Sequence, residues 1–475
     1  MLEGLEAVEL SSRYYLEDNF DFRLDAEYFT KINIALLNKL LKVGVLRIAD
    51  FSYVTDGIHT SIDYCENSNI NLFSATTPRE NFFDLSRQVF ISEKAHASNP
   101  RTALMENDII ISTVGTIGNC AVVNKSVLPA NSDRHVGIIR IKENVVMPRY
   151  LSTFLLSKYG RFQTWRESTG NVQLNLFLYR IRTLKVPKAT LIFQNTIENL
   201  VILADKNRAF SQDKYSQAEN LLLETLGMAD FSPSAEKVNI KSFKDSFAAT
   251  SRLDAEYYQP KYEDVITQIQ SQPHACLAEL VSITKSIEPG SDAYSDDDNG
   301  LPFLRVADYS KLGLQTTQKK LSVRFVAENK AQLTALMPKA NTILFSKDGS
   351  VGEAYCLRAD ADFVTSSAIL HLQVLDNTKI LSNYLTLALN STLVRMQAER
   401  DAGGSIILHW RVSEIENVII PLVDFETQTK IAALVQQSFS LKAESERLLE
   451  AAKRAVEIAI ETNEDAALAW LASIH

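Results

Sequence analysis

The sequence contains two copies of one domain-sized segment. The six residues Arg-Leu-Asp-Ala-Glu-Tyr at 23–28 return at 252–257, an offset of 252 − 23 = 229. A glycine-containing segment around Ser112 returns around Ser346, an offset of 346 − 112 = 234, and this second register runs on without a gap to Val201 and Val435. A repeat of this length is a whole domain, so the sequence predicts a tandem duplication. Because the offset grows by 234 − 229 = 5 residues between the two matches, each copy combines a shared frame with a divergent insert.

Hydrophobic periodicity predicts mixed secondary structure within each copy. In the first copy, residues 25–41 have apolar side chains at helical spacing, and so do residues 148–165. Between these helices, β-branched residues predict short strands separated by turns, at 46–49, 108–112, 121–123 and 136–141. Each copy is therefore expected to be α+β and rich in strands.

Each copy ends in a long helical segment. Residues 193–226 contain no Gly or Pro, and 425–461 is the corresponding segment of the second copy. Each carries one largely heptad-like apolar stripe, which needs a partner, and a helix of this length spans ~50 Å. We expect the two helices to pair antiparallel; the alternative is that each packs on its own domain. The pairing residues predicted on the helices are Ile197, Leu200, Leu221, Leu226, Ile431, Leu434, Leu448 and Val456.

Composition limits the class of protein. The chain has 475 residues, enough for two or three domains, and a net charge of −9, which argues against a polycation but does not exclude local basic surfaces. Its four cysteines are far apart and form no CxxC pair, so we expect reduced thiols. No secretory signal or apolar run of membrane-spanning length is visible, which predicts a cytoplasmic protein.

Searches for catalytic motifs find none. No phosphate-binding glycine motif follows a predicted strand, the seven histidines have no zinc spacing, and no nucleophile elbow is present. The acidic residues Asp292, Asp296, Asp297 and Asp298 are flanked by glycines and absent from the first copy, so a solvated loop is a better interpretation than a metal site. The sequence thus predicts a protein that is not an enzyme, with no catalytic residue, metal or cofactor of its own.

Duplicated domains on a helical spacer suit a ligand with two sites a fixed distance apart, and duplex DNA is such a ligand. The inserts contain side chains that can read bases or contact phosphates, each of which could instead be an ordinary solvated surface residue. The DNA-contact candidates of the first copy are Thr60, Arg79, Arg87, Lys94, Arg101 and Arg134, with Asn81, Asn99 and Asn131 as further base readers. Those of the second copy are Arg305, Tyr309, Lys311, Lys319, Lys320 and Arg324.

The glycine loops are further candidates for DNA contact, because glycine lets a backbone approach a ligand closely. Their predicted contact residues are Thr113, Gly115 and Thr116 in the first copy, and Lys347, Gly349 and Ser350 in the second. The alternative is a tight hairpin turn between two strands. Loops 170–175 and 403–411 are weaker candidates for contact. The repeated Arg-Leu-Asp-Ala-Glu-Tyr motif is expected to be structural, with Asp25 or Asp254 capping a helix and the tyrosine packing.

In this order, and twice, these features resemble the specificity (S) subunit of type I restriction-modification systems over nearly the whole chain. The matching features are the two Arg-Leu-Asp-Ala-Glu-Tyr motifs, the 108–118 segment, the Ser-Thr-Gly turn at 168–170, the strand ends at Pro187 and Pro421, and the helix starts at Gln194 and Gln428. Two glycine-loop positions depart from the family: Thr113 stands where the family often has Arg, and Lys347-Asp348 follows Ser346.

The resemblance implies two target recognition domains, each reading half of an asymmetric bipartite DNA sequence, with the paired helices setting the spacing. The expected fold is α+β, with two repeated β-rich domains joined by two long antiparallel helices, a coiled-coil spacer, in a pseudo-two-fold arrangement. The expected boundaries are 1–188 for the first target recognition domain, 189–228 for the central spacer helix, 229–422 for a connector and the second domain, 423–462 for the C-terminal spacer helix, and 463–475 for a terminal extension.

The resemblance also implies partners. Catalysis would belong to methyltransferase (M) subunits, two in number, which bind S-adenosylmethionine and dock on the long helices, and to restriction (R) subunits. Three alternatives are a specificity subunit of another methylation-dependent defence system, a duplicated protein-binding scaffold, and a self-contained methyltransferase or nuclease. Neighbouring genes would distinguish the first alternative, unspecific or absent DNA binding the second, and DNA methylation by the purified chain the third.

Overall fold

The chain divides into two compact units. In the computed structural model they consist of residues 1–208 with 442–475, called unit 1, and residues 209–441, called unit 2. The structure describes residue 19 and residues 22–143, 145–170, 172–295, 299–404 and 406–474. Residues 1–22, which the sequence suggests are a leader too short to fold alone, lie almost entirely outside these residues, as do Asp296, Asp297, Asp298, Asn171 and Ser405.

Unit 1 contains the frame and insert of the first copy. Its strands are Val45–Arg47, Ser52–Asp56, Ile70–Phe73, Val89–Ile91, Ile109–Ser112, Cys120–Val122, Ala130–Ser132, Val136–Ile141 and Lys185–Pro187. Its shorter α-helices are Lys31–Lys42, Ile48–Phe51, Glu93–Ser98, Pro148–Leu156, Lys158–Glu167, Leu178–Thr183 and Glu464–Ser473. Short 3-10 helices lie at Ala26–Phe29, Pro100–Thr102 and Lys125–Val127.

A four-stranded antiparallel sheet lies at the centre of unit 1. Its strand order is Ser52–Asp56, Val136–Ile141, Ile109–Ser112 and Cys120–Val122. Successive side chains of a strand point to opposite faces. Ile109 and Ile111 accordingly pack in a core with the frame helices, and Ile110 packs in a second core with insert residues such as Phe73. The sheet therefore separates the helical frame from the insert.

Unit 2 contains the counterpart elements. Its strands are His274–Cys276, Val281–Lys285, Tyr294–Ser295, Leu301–Leu304, Tyr309–Ser310, Gly313–Leu314, Lys320–Leu321, Ile343–Ser346, Ala354–Cys356, Val364–Thr365, Ile369–Val374 and Ile419–Pro421. Its shorter α-helices are Phe247–Thr250, Pro260–Gln270, Leu277–Leu280, Val323–Glu328, Lys330–Leu336, Ser382–Asn390, Thr392–Asp401 and Val412–Ile415. Short 3-10 helices lie at Ala255–Tyr258, Ser291–Ala293 and Val306–Asp308.

The central sheet of unit 2 repeats that of unit 1. Its order is Val281–Lys285, Ile369–Val374, Ile343–Ser346 and Ala354–Cys356, again antiparallel throughout. Ile343 and Phe345 pack with the frame helices, whereas Leu344 packs in a smaller second core. The same strand order and the same alternation of faces in both units confirm the two repeated β-rich domains expected from the sequence.

The two long helices are Leu191–Thr225, called the central helix, and Phe425–Glu461, called the second long helix. They pack against each other within each unit. In unit 1, Ile197 and Leu200 share a core with Leu448 and Val456. Because a low-numbered part of the central helix meets a high-numbered part of the second helix, the pairing is antiparallel, as predicted.

In unit 2, the later part of the central helix meets the earlier part of the second. Leu226 and Ile431 are buried in one core, and Leu221 and Leu434 are partly buried against it. The side-chain hydroxyl of Ser438 donates to the backbone carbonyl of Ser211 at 2.7 Å. Full burial of one large aliphatic side chain contributes roughly 1.5–3 kcal/mol, so this stripe is a substantial source of stability in both units.

The repeated Arg-Leu-Asp-Ala-Glu-Tyr motif is structural, as expected. Its arginine clamps the start of each copy to the end of a frame helix, since Arg23 donates to the carbonyl of Arg166 at 2.7 Å and Arg252 to that of Asp401 at 2.9 Å. Asp25 caps the helical turn that follows it by accepting from the backbone N–H of Tyr28. The prediction of a cap was wrong for Asp254, whose carboxylate instead pairs with Arg252 and makes no cap hydrogen bond.

Two local features differ from the sequence-based expectation. The helix predicted at 148–165 is two helices, because the chain breaks at Ser157, whose backbone is extended. The terminal extension forms a ten-residue helix, Glu464–Ser473, which Asn463 caps and whose Ala467 and Leu471 pack into the core of unit 1.

Candidate DNA interface

Each glycine loop is a tight connection between two strands of the central sheet. In unit 1, the backbone N–H of Gly118 donates to the carbonyl of Ser112 at 3.0 Å, which closes the turn. Gly115 and Gly118 have φ of +71° and +80°, and a residue with a side chain is strained at such values. Nothing lies within 4 Å of where a Cβ of Gly115 would be, whereas the same point at Gly118 is 2.6 Å from the Thr164 hydroxyl. Gly118 is therefore needed for packing, and Gly115 presents open backbone to solvent.

The glycine loop of unit 2 repeats this geometry. The N–H of Gly352 donates to Ser346 at 2.9 Å, and Gly349 has φ of +76° with open space where a Cβ would be. Both interpretations of the sequence thus describe the same loop, since it is a tight hairpin whose tip is accessible. Open backbone at the tip is a place where a phosphate or base edge could approach.

A second loop lies directly beside each glycine loop. In unit 1, the N–H of Leu176 donates to the carbonyl of Thr113 at 2.9 Å. In unit 2, the N–H of Gly349 donates to Leu408 at 2.8 Å, and that of Trp410 to Lys347 at 2.7 Å. We call residues 113–118 with 170–176, and 347–352 with 403–410, the paired loops. The weaker sequence candidates therefore adjoin the stronger ones in both units.

One glycine fixes the shape of this second loop in each unit. Gly170 and Gly404 have φ of +142° and +134°. A Cβ there would lie 2.2 Å from the carbonyl oxygen of Gln173 and 2.1 Å from that of Ile407. Relieving such a short contact would require the backbone to move, which costs free energy. No residue other than glycine therefore fits at these positions without moving the loop.

The insert candidates of unit 1 fall into two groups. Thr60, Arg87, Lys94 and Arg134 are exposed, and within the described residues neither Arg87 nor Lys94 has an ion-pair partner. The other two cations are held by carboxylates: Arg79 pairs with Asp84 at 2.9 Å, and Arg101 with Asp56 at 2.8 Å. Burial opposes ionisation of Asp56, but hydrogen bonds from His59 and Arg101 outweigh it and lower the pKa of Asp56. The Asp56 carboxylate therefore stays charged and offsets the charge of Arg101.

Three amide candidates and one threonine of unit 1 are not at the surface. Asn81 and Asn131 are buried, and their amides bond to Thr153 at 3.1 Å and to Thr102 at 2.8 Å, so the prediction that they read bases was wrong. Asn99 is half-buried and caps the preceding turn by bonding to Ala95. Thr113 is buried.

Thr116 of the glycine loop uses its hydroxyl internally. The hydroxyl donates to the backbone carbonyl of Ala75 at 2.8 Å. A contact from the first glycine loop is therefore best made by the backbone of Gly115.

The unit 2 candidates divide in the same way. Lys319 is exposed with its ammonium 4.5 Å from the centre of the Tyr294 ring, and Arg324 is 88% exposed on a helix where it pairs with Glu328. Lys320 is half-buried in a strand. Arg305 pairs with Asp308 at 3.0 Å.

Three further candidates of unit 2 are engaged or enclosed. Lys311 pairs with Glu219 at 2.9 Å, and Lys347 contacts Asp348. Tyr309 is 4% exposed in a hydrophobic core with its hydroxyl donating to the carbonyl of Glu353 at 3.0 Å, so the prediction that it contacts DNA was wrong. Ser350 is exposed at the tip of its loop.

Sequence reasoning missed an apolar surface beside the paired loops. Val172 and Ile406 occupy the same position of the repeat, since 406 − 172 = 234, and both are almost fully exposed. Phe177 and Tyr179 are about half-exposed and stack at 5.8 Å in unit 1. The repeat itself was the available signal, because an apolar residue at the same position of the second loop in both copies has no obvious role in a turn.

The residues that the structure covers contain neither a metal-binding cluster nor a membrane-spanning helix. No cluster of His, Cys, Asp or Glu there could hold a metal ion. No helix in that part of the chain is both long enough and apolar enough to cross a membrane.

Part of the second copy matches the model of a known protein family. Residues 276–452 match the family model described as "Type I restriction modification DNA specificity domain". This match confirms the predicted resemblance to type I specificity subunits for that part of the chain.

Solved structures of specificity subunits are similar over most of the chain. The S subunit of a type I restriction-modification system from M. genitalium matches 88% of this chain and 94% of its own, with a TM-score of 0.39 and 12% identity. The HsdS subunit from Thermoanaerobacter tengcongensis matches 88% of this chain and 96% of its own, with a TM-score of 0.29 and 15% identity. No curated protein matches the sequence.

Proposed function

We propose that the chain is the sequence-specific DNA-recognition subunit of a type I restriction-modification complex. The observation that carries this proposal is the specificity-domain match at 276–452, together with the same frame in the first copy. Each unit would read one half of an asymmetric bipartite target. The proposed target recognition domains span 1–188 and 229–422, with the connector included in the second.

Shared frames and different inserts support this division of labour. A frame that is the same in both units cannot distinguish two different half-sites, so it suits contacts common to both halves, such as those to phosphates. Base readout would then come from exposed insert residues, among them Arg87 in unit 1 and Arg324 in unit 2, while the exposed lysines Lys94 and Lys319 would contact phosphates. The open backbone of Gly115 and Gly349 would serve as a common phosphate contact.

Catalysis would come from partner proteins. Two methyltransferase subunits carrying S-adenosylmethionine would dock on the long helices, and restriction subunits would complete the complex. Exposed apolar side chains on these helices support such docking, including Leu203 at 45% and Phe210 at 58% exposure. The complex would act on DNA in the cytoplasm.

The proposal is tested by coexpressing the chain with its methyltransferase partner and sequencing the methylated DNA of the host. We expect methylation at one two-part motif, and methylation that requires this chain. Methylation of DNA by the purified chain alone, or a single continuous motif, would contradict the proposal.

The spacing role of the long helices has its own test. Removing seven residues from the central helix and the matching seven from the second long helix should shift the distance between the two half-sites while leaving both half-sites the same. An unchanged distance would remove the spacing role and leave the recognition role standing.

A further inference from the structure

In unit 1, the insert is attached to the second long helix by an ion pair. Glu80 of the insert accepts from the ammonium of Lys453 at 2.7 Å, and Lys453 also contacts Glu450 on its own helix at 2.6 Å. A second contact lies close by, with the guanidinium of Arg208 at 3.7 Å from the centre of the Phe82 ring. The side chain of Lys453 is only 16% exposed, so its charge is poorly screened by solvent.

In unit 2, the insert is attached to the central helix by an ion pair of opposite sense. The ammonium of Lys311, an insert residue, lies 2.9 Å from Glu219 on the helix and 4.9 Å from the centre of the Tyr215 ring. Both charged side chains are about one-third exposed. The insert thus supplies the cation here, whereas it supplies the anion in unit 1.

The two helix positions are equivalent in the repeat. Their separation, 453 − 219 = 234, is the register that relates the two copies from the glycine loops onward. The neighbouring buried positions agree, since Ala218 and Ala452 are both fully buried. A lysine in one copy therefore stands where the other copy has a glutamate.

The surrounding frame is adjusted to the reversed charges. In unit 1, Arg161 lies 3.4 Å from Glu80 and bonds to the amide of Asn119. In unit 2, the equivalent arginine, Arg395, pairs at 3.2 Å with Glu353, which occupies the position of Asn119. Where the insert provides no carboxylate, the frame provides one.

Each ion pair also joins parts of different copies. Glu80 belongs to the first copy and Lys453 to the second, whereas Lys311 belongs to the second and Glu219 to the first. If each insert packed on the long helix of its own copy, Glu80 would face Glu219 and Lys311 would face Lys453. Like charges at such a contact are unfavourable.

We propose that these two ion pairs are a charge code that matches each insert to the long helix of the other copy and holds that insert in position to read its half of the target. Glu80, Lys453, Lys311 and Glu219 are positioning residues and do not themselves contact DNA. The second half of this inference, the effect on reading, rests on the proposed function. The first half, the matching of insert to helix, does not.

The test is a charge-reversal cycle in the full-length chain. Glu80→Lys and Lys453→Glu are made singly and together, and Lys311→Glu and Glu219→Lys likewise. Lys125→Glu and Lys339→Glu serve as controls, because these exposed lysines pair with Glu106 and Asp360, neither of which belongs to a long helix. The readouts are hydrogen exchange of insert amides and affinity for duplexes altered in one half-site at a time.

Each single reversal should speed exchange in its own insert and weaken recognition of one half-site on the order of tenfold, because it places like charges together. Each double reversal should bring both readouts closer to those of the starting protein than either of its single reversals does, because the pair regains its Coulomb attraction. In unit 1 the rescue should be incomplete, because Arg161 and Glu450 keep charges that match the original pair. The proposal would be overturned if each double reversal changed the two readouts by the sum of the changes that its single reversals cause. It would also be overturned if the single reversals changed the readouts no more than the controls do.

The two readouts separate the two claims. If the double reversals restore the hydrogen exchange of the insert amides but the protein binds neither half-site, the charge code is upheld and the proposed function is contradicted. Half-site binding that no reversal changes would uphold the function and contradict the role of these residues in reading.

Discussion

The two units share one frame but carry different residues on it. At the centre of the sheet, even buried positions differ in chemical character. In unit 1, Ile110 pairs across the sheet with Ile138, and both are buried. In unit 2, Leu344 pairs with His371, which is also buried. Burial lowers the pKa of His371 to about 4, so the ring is neutral at neutral pH and bonds to the Thr365 hydroxyl at 2.9 Å.

The backbone tolerates this change because the frame depends on strand order and glycine geometry. Both units keep the same four-stranded order and the same positive-φ glycines in the paired loops. The inserts differ much more, since unit 1 has a three-stranded sheet there and unit 2 a four-stranded one. The comparison teaches that the two units share the structure of the frame and differ in the structure of the inserts.

The largest effect is expected from the glycines that the two units share. Gly170→Ala and Gly404→Ala should each lower the free energy of unfolding of their own unit by about 3 kcal/mol, because the new Cβ meets backbone oxygen at a strained φ. Gly115→Ala and Gly349→Ala have open space and should cost only about 1 kcal/mol. Denaturant unfolding of the four variants measures this.

Equal costs in the two units would sharpen the idea of a common frame. A large cost at Gly170 with none at Gly404 would break it.

The frame could be predicted from the sequence because its signals are local or repeated. Three consecutive isoleucines at 109–111 predicted a buried strand, and the structure places them in one. The repeat aligned the glycine loops, and the heptad stripe predicted the paired helices. The ten-residue helix at the end of the chain was missed, although Asn463 is a good cap and the following residues favour helix.

The candidate DNA interface was harder to predict, because residues distant in the sequence determine which side chains are buried or paired. The sequence places the polar residues Tyr309 and Asn131 in loops, but packing buries both. Glu80 and Lys453 are 373 residues apart and look like ordinary surface charges in the sequence. No periodicity connects them, so only the fold reveals the contact.

A smaller effect, limited to unit 2, is expected from pH. The pKa of His371 is lowered from 6.5 to about 4, so unit 2 has its full stability above pH 6.5 and loses stability as the pH falls toward 4. The loss should reach about 2 kcal/mol at pH 5. His371→Ile, which copies unit 1, should remove that part of the pH dependence.

The measurement is the free energy of unfolding of both proteins at pH 8 and pH 5. A variant that keeps the full pH dependence would show that His371 does not titrate as its burial requires.

The smallest effects are expected from single exposed lysines of the inserts. Lys94→Ala in unit 1 and Lys319→Ala in unit 2 should each weaken DNA binding by about 1 kcal/mol and reduce the slope of log affinity against log salt by about 1, because each removes one phosphate contact. Lys125→Ala, at the start of a short 3-10 helix, and Lys339→Ala, on a loop, lie outside the predicted contacts and are the matched controls. A reduced slope in the controls as well would mean that overall charge, and not the insert surfaces, accounts for binding.

Exchange of the whole β-rich segment of the first copy, which contains the insert and the central sheet of unit 1, tests the central claim most directly. Residues 43–148 are replaced by those of a relative with a different target, and the DNA methylated in the presence of the methyltransferase partner is sequenced. Separate reading by the two units predicts that one half of the motif changes while the other half stays the same. A change in both halves, or in neither, would contradict it.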